Sequence, residues 1–178
     1  VAFEGWNLSD EKVKALTKVT ILACGTSWHS GISGKTMIEA LARLPVLRKP
    51  HSRRSEAYRA VRTNLEFTAA EGMPRSLVVT SARAGEGKSS LVTNLGVAAS
   101  RAGRSVVIVD ADLRKPTIAE YFELASPVGL SDVLTGRAHV DAALQQVAGE
   151  RLWVLASGEV PPIPSELVGS RAMADLIE

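Results

Sequence analysis

The sequence predicts an α/β fold, a parallel β-sheet flanked by helices. Three observations predict it. Short β-branched runs alternate with helical stretches, the order that βαβ units produce. One run, Val106-Val107-Ile108-Val109-Asp110, is apolar at successive positions, as a strand covered on both faces must be. A glycine-rich turn, Ala82 to Ser89, stands between a strand pattern and a helix pattern.

The elements follow in order. Ser9 to Leu16 reads as a polar helix that Ser9 or Asp10 caps. Val19-Thr20-Ile21-Leu22-Ala23-Cys24 reads as a short buried strand. Gly25-Thr26-Ser27 then turns the chain into a helix over about Gly34 to Leu44, which Pro45 ends. Arg48-Lys49-Pro50-His51-Ser52-Arg53-Arg54 has no apolar periodicity, so residues 47–54 read as a linker with His51 exposed. It divides a first segment, residues 1–46, from a second, residues 55–178. The second opens with a helix from Glu56 to Thr68, then a strand from Ser76 to Ser81. After the glycine turn a helix runs from Ser89 to about Arg101 and stops at Gly103. The buried strand 106–110 follows, then short helices over 130–134 and 140–147 and a strand from Leu152 to Ala156. Pro161-Pro162-Ile163-Pro164 leads into a last helix from Ser165.

Composition narrows the function classes. Hydrophobic residues make up 46% of the 178 and charged residues 22%, which excludes global disorder. A net charge of +2 is too small to indicate a nucleic-acid partner, and none is expected. The basic excess gathers at Arg48, Lys49, Arg53, Arg54, Arg59 and Arg62, either a solvated face or a contact for an acidic partner, a subunit or anionic lipid. Cys24 is the only cysteine, so no internal disulfide forms and a reducing cytoplasm is the expected setting. No apolar run reaches the roughly 18–20 residues that span a bilayer. The chain starts at Val1 without an initiator Met or a signal-peptide pattern, which suggests a fragment or processed product.

Ala82-Arg83-Ala84-Gly85-Glu86-Gly87-Lys88-Ser89 is a phosphate-binding loop by type and context. Glycines at 85 and 87 let successive backbone N–H groups turn inward, and the following helix adds positive potential at its start. Residues Ala84, Gly85, Glu86, Gly87, Lys88, Ser89 and Ser90 are the expected nucleotide cradle. Lys88 reaches the terminal phosphates of ATP and the Ser89 hydroxyl ligates Mg²⁺. Ala82 stands where the general pattern has its first glycine. The alternative is a strand-to-helix turn that binds nothing.

Val109-Asp110-Ala111-Asp112-Leu113-Arg114 ends the buried strand, where open α/β sheets bind ligands. Asp110 is expected to hold Mg²⁺, mostly through water, and Asp112 the metal or the attacking group. Arg114 steadies a phosphate or pairs with one of these acids. This strand is expected to neighbour the loop strand. The alternative is an ordinary strand-end turn.

From about Arg54 to Glu178 the chain resembles the cytoplasmic domain of bacterial tyrosine kinases of capsule and exopolysaccharide synthesis. The matching runs are Ser55 to Asn64, the glycine loop, Val107 to Thr117, Gly129 to Leu134, and Pro164-Ser165-Glu166-Leu167. The resemblance implies a P-loop NTPase-like sheet, ATP and Mg²⁺ as cofactors, and transfer of the γ-phosphoryl group to tyrosine. It implies Lys88, Asp110, Asp112 and Arg114 as catalytic residues. Glu56, Arg59 and Arg62, on one helical face, would be the family's oligomer motif; the alternative is a solvated charged face. It further implies a homo-oligomer and a membrane-protein activator that holds the cytoplasmic kinase at the inner face of the membrane. The family's Walker B strand would follow the last helix, and its tyrosine cluster would follow that. Only Tyr58 and Tyr121 occur here, so the domain is expected to be truncated.

Residues 1 to 46 resemble the start of the sugar-isomerase (SIS) domain of glutamine–fructose-6-phosphate aminotransferase, through Ile21-Leu22-Ala23-Cys24-Gly25-Thr26-Ser27-Trp28-His29 and the run Leu41 to Val46. That implies a partial β-α unit with Thr26 and Ser27 as sugar-phosphate residues. The two resemblances together imply a chimeric chain. Four functions remain open: a tyrosine kinase, an ATP-driven switch of MinD/ParA type (suggested by Arg83, where those proteins carry a signature Lys), an aminotransferase fragment, and an inactive truncated chimera.

Overall fold

The computed structural model describes residues 19–23, 44–67, 74–124 and 128–177. Five strands form one sheet: β1 (Val19–Ala23), β2 (Ser76–Val79), β3 (Val106–Ala111), β4 (Leu144–Gln146) and β5 (Leu152–Leu155). Their order is β2-β1-β3-β5-β4. β1 pairs in parallel with both β2 and β3, and β3 in parallel with β5. β4 runs antiparallel to β5. Eight helices are described: α1 (Pro45–Arg48), α2 (Arg53–Phe67), α3 (Lys88–Arg101), α4 (Ile118–Tyr121), α5 (Leu130–Leu134), α6 (Val140–Ala143), α7 (Pro164–Val168) and α8 (Arg171–Ile177).

β3 is buried at every position, as its uniform apolar run predicts. Its alternation divides the core. Val106 and Ile108 pack with Val92, Val97, Ala98 and Ala99 of α3 on one face. Val107, Val109 and Ala111 pack with Leu130, Leu134 and Met173 on the other. Each fully buried aliphatic side chain contributes about 1.5–3 kcal/mol by leaving water.

Three expectations change. The sheet is mixed: the helix expected over 140–147 ends at Ala143, and 144–146 form β4. Leu144 packs against one core cluster and Val147 lies in the other. Helical spacing of three would put both on one face, so the extended conformation wins. The expected linker contains the end of α1 and the start of α2, and Ser55 is buried with its hydroxyl donating to the Lys49 carbonyl at 2.6 Å. Pro45 opens α1, a position that suits its fixed φ. Finally, β1 from the first segment lies inside the sheet of the second, between β2 and β3. The helices expected near 9–16 and 34–44 lie outside the described residues, apart from Leu44.

α5 is anchored by backbone. Leu130 N–H donates to the Ala156 carbonyl at 2.7 Å and Ser131 N–H to Ser157 at 2.9 Å. This requires Gly129 at its start. A Cβ there would sit 2.2 Å from Gly158 N and 2.3 Å from the Ala156 oxygen, both backbone atoms. Gly129→Ala is therefore expected to cost about 3 kcal/mol through overpacking and loosened hydrogen bonds. A melting temperature lowered by roughly 6–12 °C would show it, and an unchanged melt would refute the close approach.

Candidate functional site

The glycine loop leaves the carboxyl end of β2 and enters α3, as its sequence context predicts. Residues 82–87 are exposed. Gly85 has φ +79 and Gly87 φ +90, the left-handed region that disfavours side chains. Gly87 caps α3, and the first intrahelical bond runs from Leu91 N–H to the Gly87 carbonyl. The amides of Lys88, Ser89 and Ser90 precede that bond, so they are the helix-start donors that an anion uses. The loop also closes on itself. Lys88 Nζ donates to Ser81 Oγ at 2.9 Å, Ser81 Oγ donates to the Arg83 carbonyl at 2.8 Å, and Arg83 N–H donates to Glu86 Oε2 at 3.1 Å. Lys88 is thus folded back over the loop, where its hydrogen-bond partner among the described residues is the Ser81 hydroxyl.

Asp110 sits at the carboxyl end of β3, 2% exposed. Its Oδ1 accepts Asp112 N–H at 3.2 Å, and its Oδ2 accepts Thr117 N–H at 3.1 Å and Ile118 N–H at 3.0 Å. Asp112 Oδ1 accepts Lys115 N–H at 3.0 Å. Both acids therefore shape the turn that leads into α4. Arg114 is exposed and, among the described residues, makes no ion pair.

β2 and β3 are not neighbours, contrary to expectation, because β1 separates them: Leu22 is level with both Val79 and Asp110. Two strand spacings put the two strand ends about 9–10 Å apart. Thr117 closes the gap. Its hydroxyl donates to Ser89 Oγ at 3.0 Å while its N–H holds Asp110. One turn later Tyr121 Oη meets Ser90 Oγ at 2.8 Å. The Ser90 carbonyl in turn accepts Asn94 Nδ2 at 2.8 Å, and Asn94 Oδ1 accepts Val46 N–H at 3.2 Å. Sequence reasoning missed Ser81, Thr117, Tyr121 and Asn94 as parts of this site. No spacing rule marks them: Thr117 and Tyr121 depend on how the loop after β3 folds back on α3, Asn94 on where Val46 packs, and Ser81 on the fold of the glycine loop itself.

Burial pushes the Asp110 carboxyl up to about 6, with Asp112's charge adding and the three backbone donors opposing. The folded chain then binds a proton that the unfolded chain, near the ordinary 3.8, does not. That contribution is complete below the unfolded value and is lost as pH rises through 6. Between pH 5 and 7.5 the ligand-free protein should lose about 1 kcal/mol from this residue, roughly 2–4 °C in melting temperature. Asp110→Asn should remove that part of the pH slope. An identical slope in both proteins would contradict the assignment.

The expected oligomer residues all lie on α2. Glu56 pairs with Arg59, and Arg59 Nη2 donates to the Pro50 carbonyl at 2.7 Å. Arg62 Nη1 donates to the Ala98 carbonyl of α3 at 3.3 Å. All three thus make contacts within their own chain. Tyr58 packs on the same core as Tyr121; burial first, then Tyr121, raise its phenol above its ordinary pKa. Thr26 and Ser27 lie outside the described residues.

Known proteins bear on this geometry. The CobQ/CobB/MinD/ParA nucleotide binding domain matches residues 77–131, from β2 through the glycine loop to the start of α5. Tyrosine-protein kinase YwqD of Bacillus subtilis (strain 168) is 43% identical over 128 residues, 72% of this chain and 54% of that protein. Tyrosine-protein kinase CpsD of Streptococcus agalactiae is 34% identical over 124 residues, 69% of this chain and 53% of that protein. The crystal structure of the chimerical protein CapA2B2 superposes with a TM-score of 0.71 at 36% identity, covering 94% of this chain and 68% of that one. The chain belongs to the bacterial tyrosine-kinase family. The kinase domain of Escherichia coli tyrosine kinase ETK shares the family fold, with a TM-score of 0.71 at 25% identity over 97% of this chain and 60% of that one. The chain spans about half the length of YwqD and CpsD, and 17% of the Escherichia coli tyrosine-protein kinase etk, to which it is 32% identical. Among its described residues no helix is long and apolar enough to cross a membrane.

Proposed function

We propose that this chain binds ATP at the 82–90 loop and serves as the nucleotide-binding part of a protein-tyrosine kinase of capsule or exopolysaccharide synthesis. The carrying observation is the bridge Ser89–Thr117–Asp110, which joins the phosphate loop and the acidic strand end into one site. The cradle amides and Lys88 would hold the polyphosphate, and Arg114, exposed on the turn that follows Asp112, would steady the γ-phosphoryl. In the transfer a tyrosine oxygen attacks Pγ, the bond from Pγ to the β-bridging oxygen breaks, and ADP leaves. The tyrosine proton passes to a carboxylate, for which Asp112 is the more exposed candidate.

The donors present fit Mg²⁺. Ser89 and Asp110 offer hard oxygens, and a magnesium ion beside a nucleotide takes one or two protein ligands, with phosphates and water completing its shell. No group of three or more acidic, His or Cys side chains gathers among the described residues, and such an ion needs none. When bound, the ion supplies charge neutralisation at the phosphates.

Titration with mant-ATP, with and without Mg²⁺, tests the reading; absence of Mg²⁺-dependent binding would overturn it. The match to the MinD/ParA-type domain favours a second reading, an ATP-driven switch. ATP-dependent dimerisation without phosphotyrosine would select it. From the family resemblance we also propose a homo-oligomer formed through Glu56, Arg59 and Arg62 and, separately, a membrane-protein activator as partner. Glucosamine-6-phosphate should leave the melting temperature unchanged, which separates both readings from sugar-phosphate binding at Thr26 and Ser27.

A further inference from the structure

Resting on the nucleotide-binding reading above, we propose that α4 is a hydroxyl clamp in which Thr117 and Tyr121 are positioning residues for Ser89 and Ser90. The two residues stand four apart, at the start and end of the α4 turn, so they lie on the same side of it. Each meets one of two consecutive serines at the start of α3: Thr117 Oγ1 donates to Ser89 Oγ at 3.0 Å, and Tyr121 Oη pairs with Ser90 Oγ at 2.8 Å. The same turn is fixed from below, because Thr117 N–H and Ile118 N–H both donate to Asp110 Oδ2. Ile118 is fully buried, so the turn has a rigid seat.

The chemistry assigns the clamp a direction. A serine hydroxyl has one proton and two lone pairs. When Thr117 donates to Ser89, one lone pair of Ser89 is occupied and the other remains for a cation. A phenol is a stronger acid than an aliphatic hydroxyl and is the better donor, so Tyr121 gives its proton to Ser90. The Ser90 proton is then left to point at a phosphate oxygen. Both serines are thereby set for metal and anion before nucleotide arrives, which spares the cost of orienting them on binding. Without the clamp their hydroxyls turn instead to nearby backbone carbonyls, as Thr93 does with the Ser89 carbonyl at 2.7 Å.

The experiment uses the full chain with mant-ATP as probe. Tyr121→Phe keeps the ring in the core and removes only the hydroxyl. It should weaken Mg²⁺–mant-ATP binding about 3- to 10-fold and leave the ligand-free melting temperature within about 2 °C. In a Ser90→Ala background the same change should have no further effect, since its acceptor is gone. Thr117→Val should raise the Mg²⁺ concentration for half-maximal binding about 3- to 10-fold, and Thr117→Ser should restore it. Wild-type affinity in Tyr121→Phe, additive losses with Ser90→Ala, or equal losses for Thr117→Val and Thr117→Ser would each overturn the clamp while leaving the nucleotide site standing. No binding by the wild-type chain would overturn both. Should Tyr121→Phe fail to fold, the comparison of Thr117→Val with Thr117→Ser decides alone.

Discussion

Lys88→Ala should weaken Mg²⁺-dependent mant-ATP binding about 100-fold, equivalent to about 2.7 kcal/mol. The size follows from what the side chain does. In the ligand-free fold its ammonium group donates to Ser81 Oγ, a neutral hydroxyl at an only partly buried position. Losing that contact costs folding stability little, under about 1 kcal/mol. In the complex the same ammonium faces phosphate oxygens, a charge-assisted contact about twice as strong as a neutral one. The variant should therefore melt within a few degrees of wild type yet bind poorly. Isothermal titration beside thermal melting separates the two effects. Equal affinity in both proteins would show that the loop does not hold a polyphosphate, and a collapsed melt would show that Lys88 is structural.

Ile21→Pro should destabilise the protein by about 3 kcal/mol or more, and it tests the least anticipated feature of the fold. Ile21 lies level with Val78 of β2 and Val109 of β3. In a strand paired on both sides every N–H faces a neighbour, so proline removes a ladder bond and crowds the adjacent strand. The loss should spread to the site, because β1 sets the distance between the loop strand and the strand that carries Asp110. Urea unfolding with and without nucleotide would measure both consequences. If residues 19–23 were a separate appendage, the substitution would change neither stability nor binding.

Much of the site was legible in the chain itself. Gly85, Gly87, Lys88 and Ser89 form a local motif, and its conformation depends on φ values that only neighbouring residues constrain. The β3 run declared its own burial, because successive apolar residues with no polar alternation show a strand covered on both faces. Asp110 could be placed at the end of that strand, but not its engagement. Its three backbone donors come from a turn whose path depends on Ile118 reaching the α3 core. Leu144 to Gln146 failed for a similar reason. Their composition suits a helix, and only the open edge of β5 converts them to a strand.

By itself, the sequence determined the phosphate loop, the buried strand and the α/β class, since each rests on short-range periodicity or on glycine and lysine at set spacings. The tertiary structure alone decided that β1 enters the sheet between β2 and β3, and that Thr117 and Tyr121 reach Ser89 and Ser90. Strand order and hydroxyl pairing join residues 28 to more than 80 positions apart, and no local pattern encodes a contact made only when distant segments share one core.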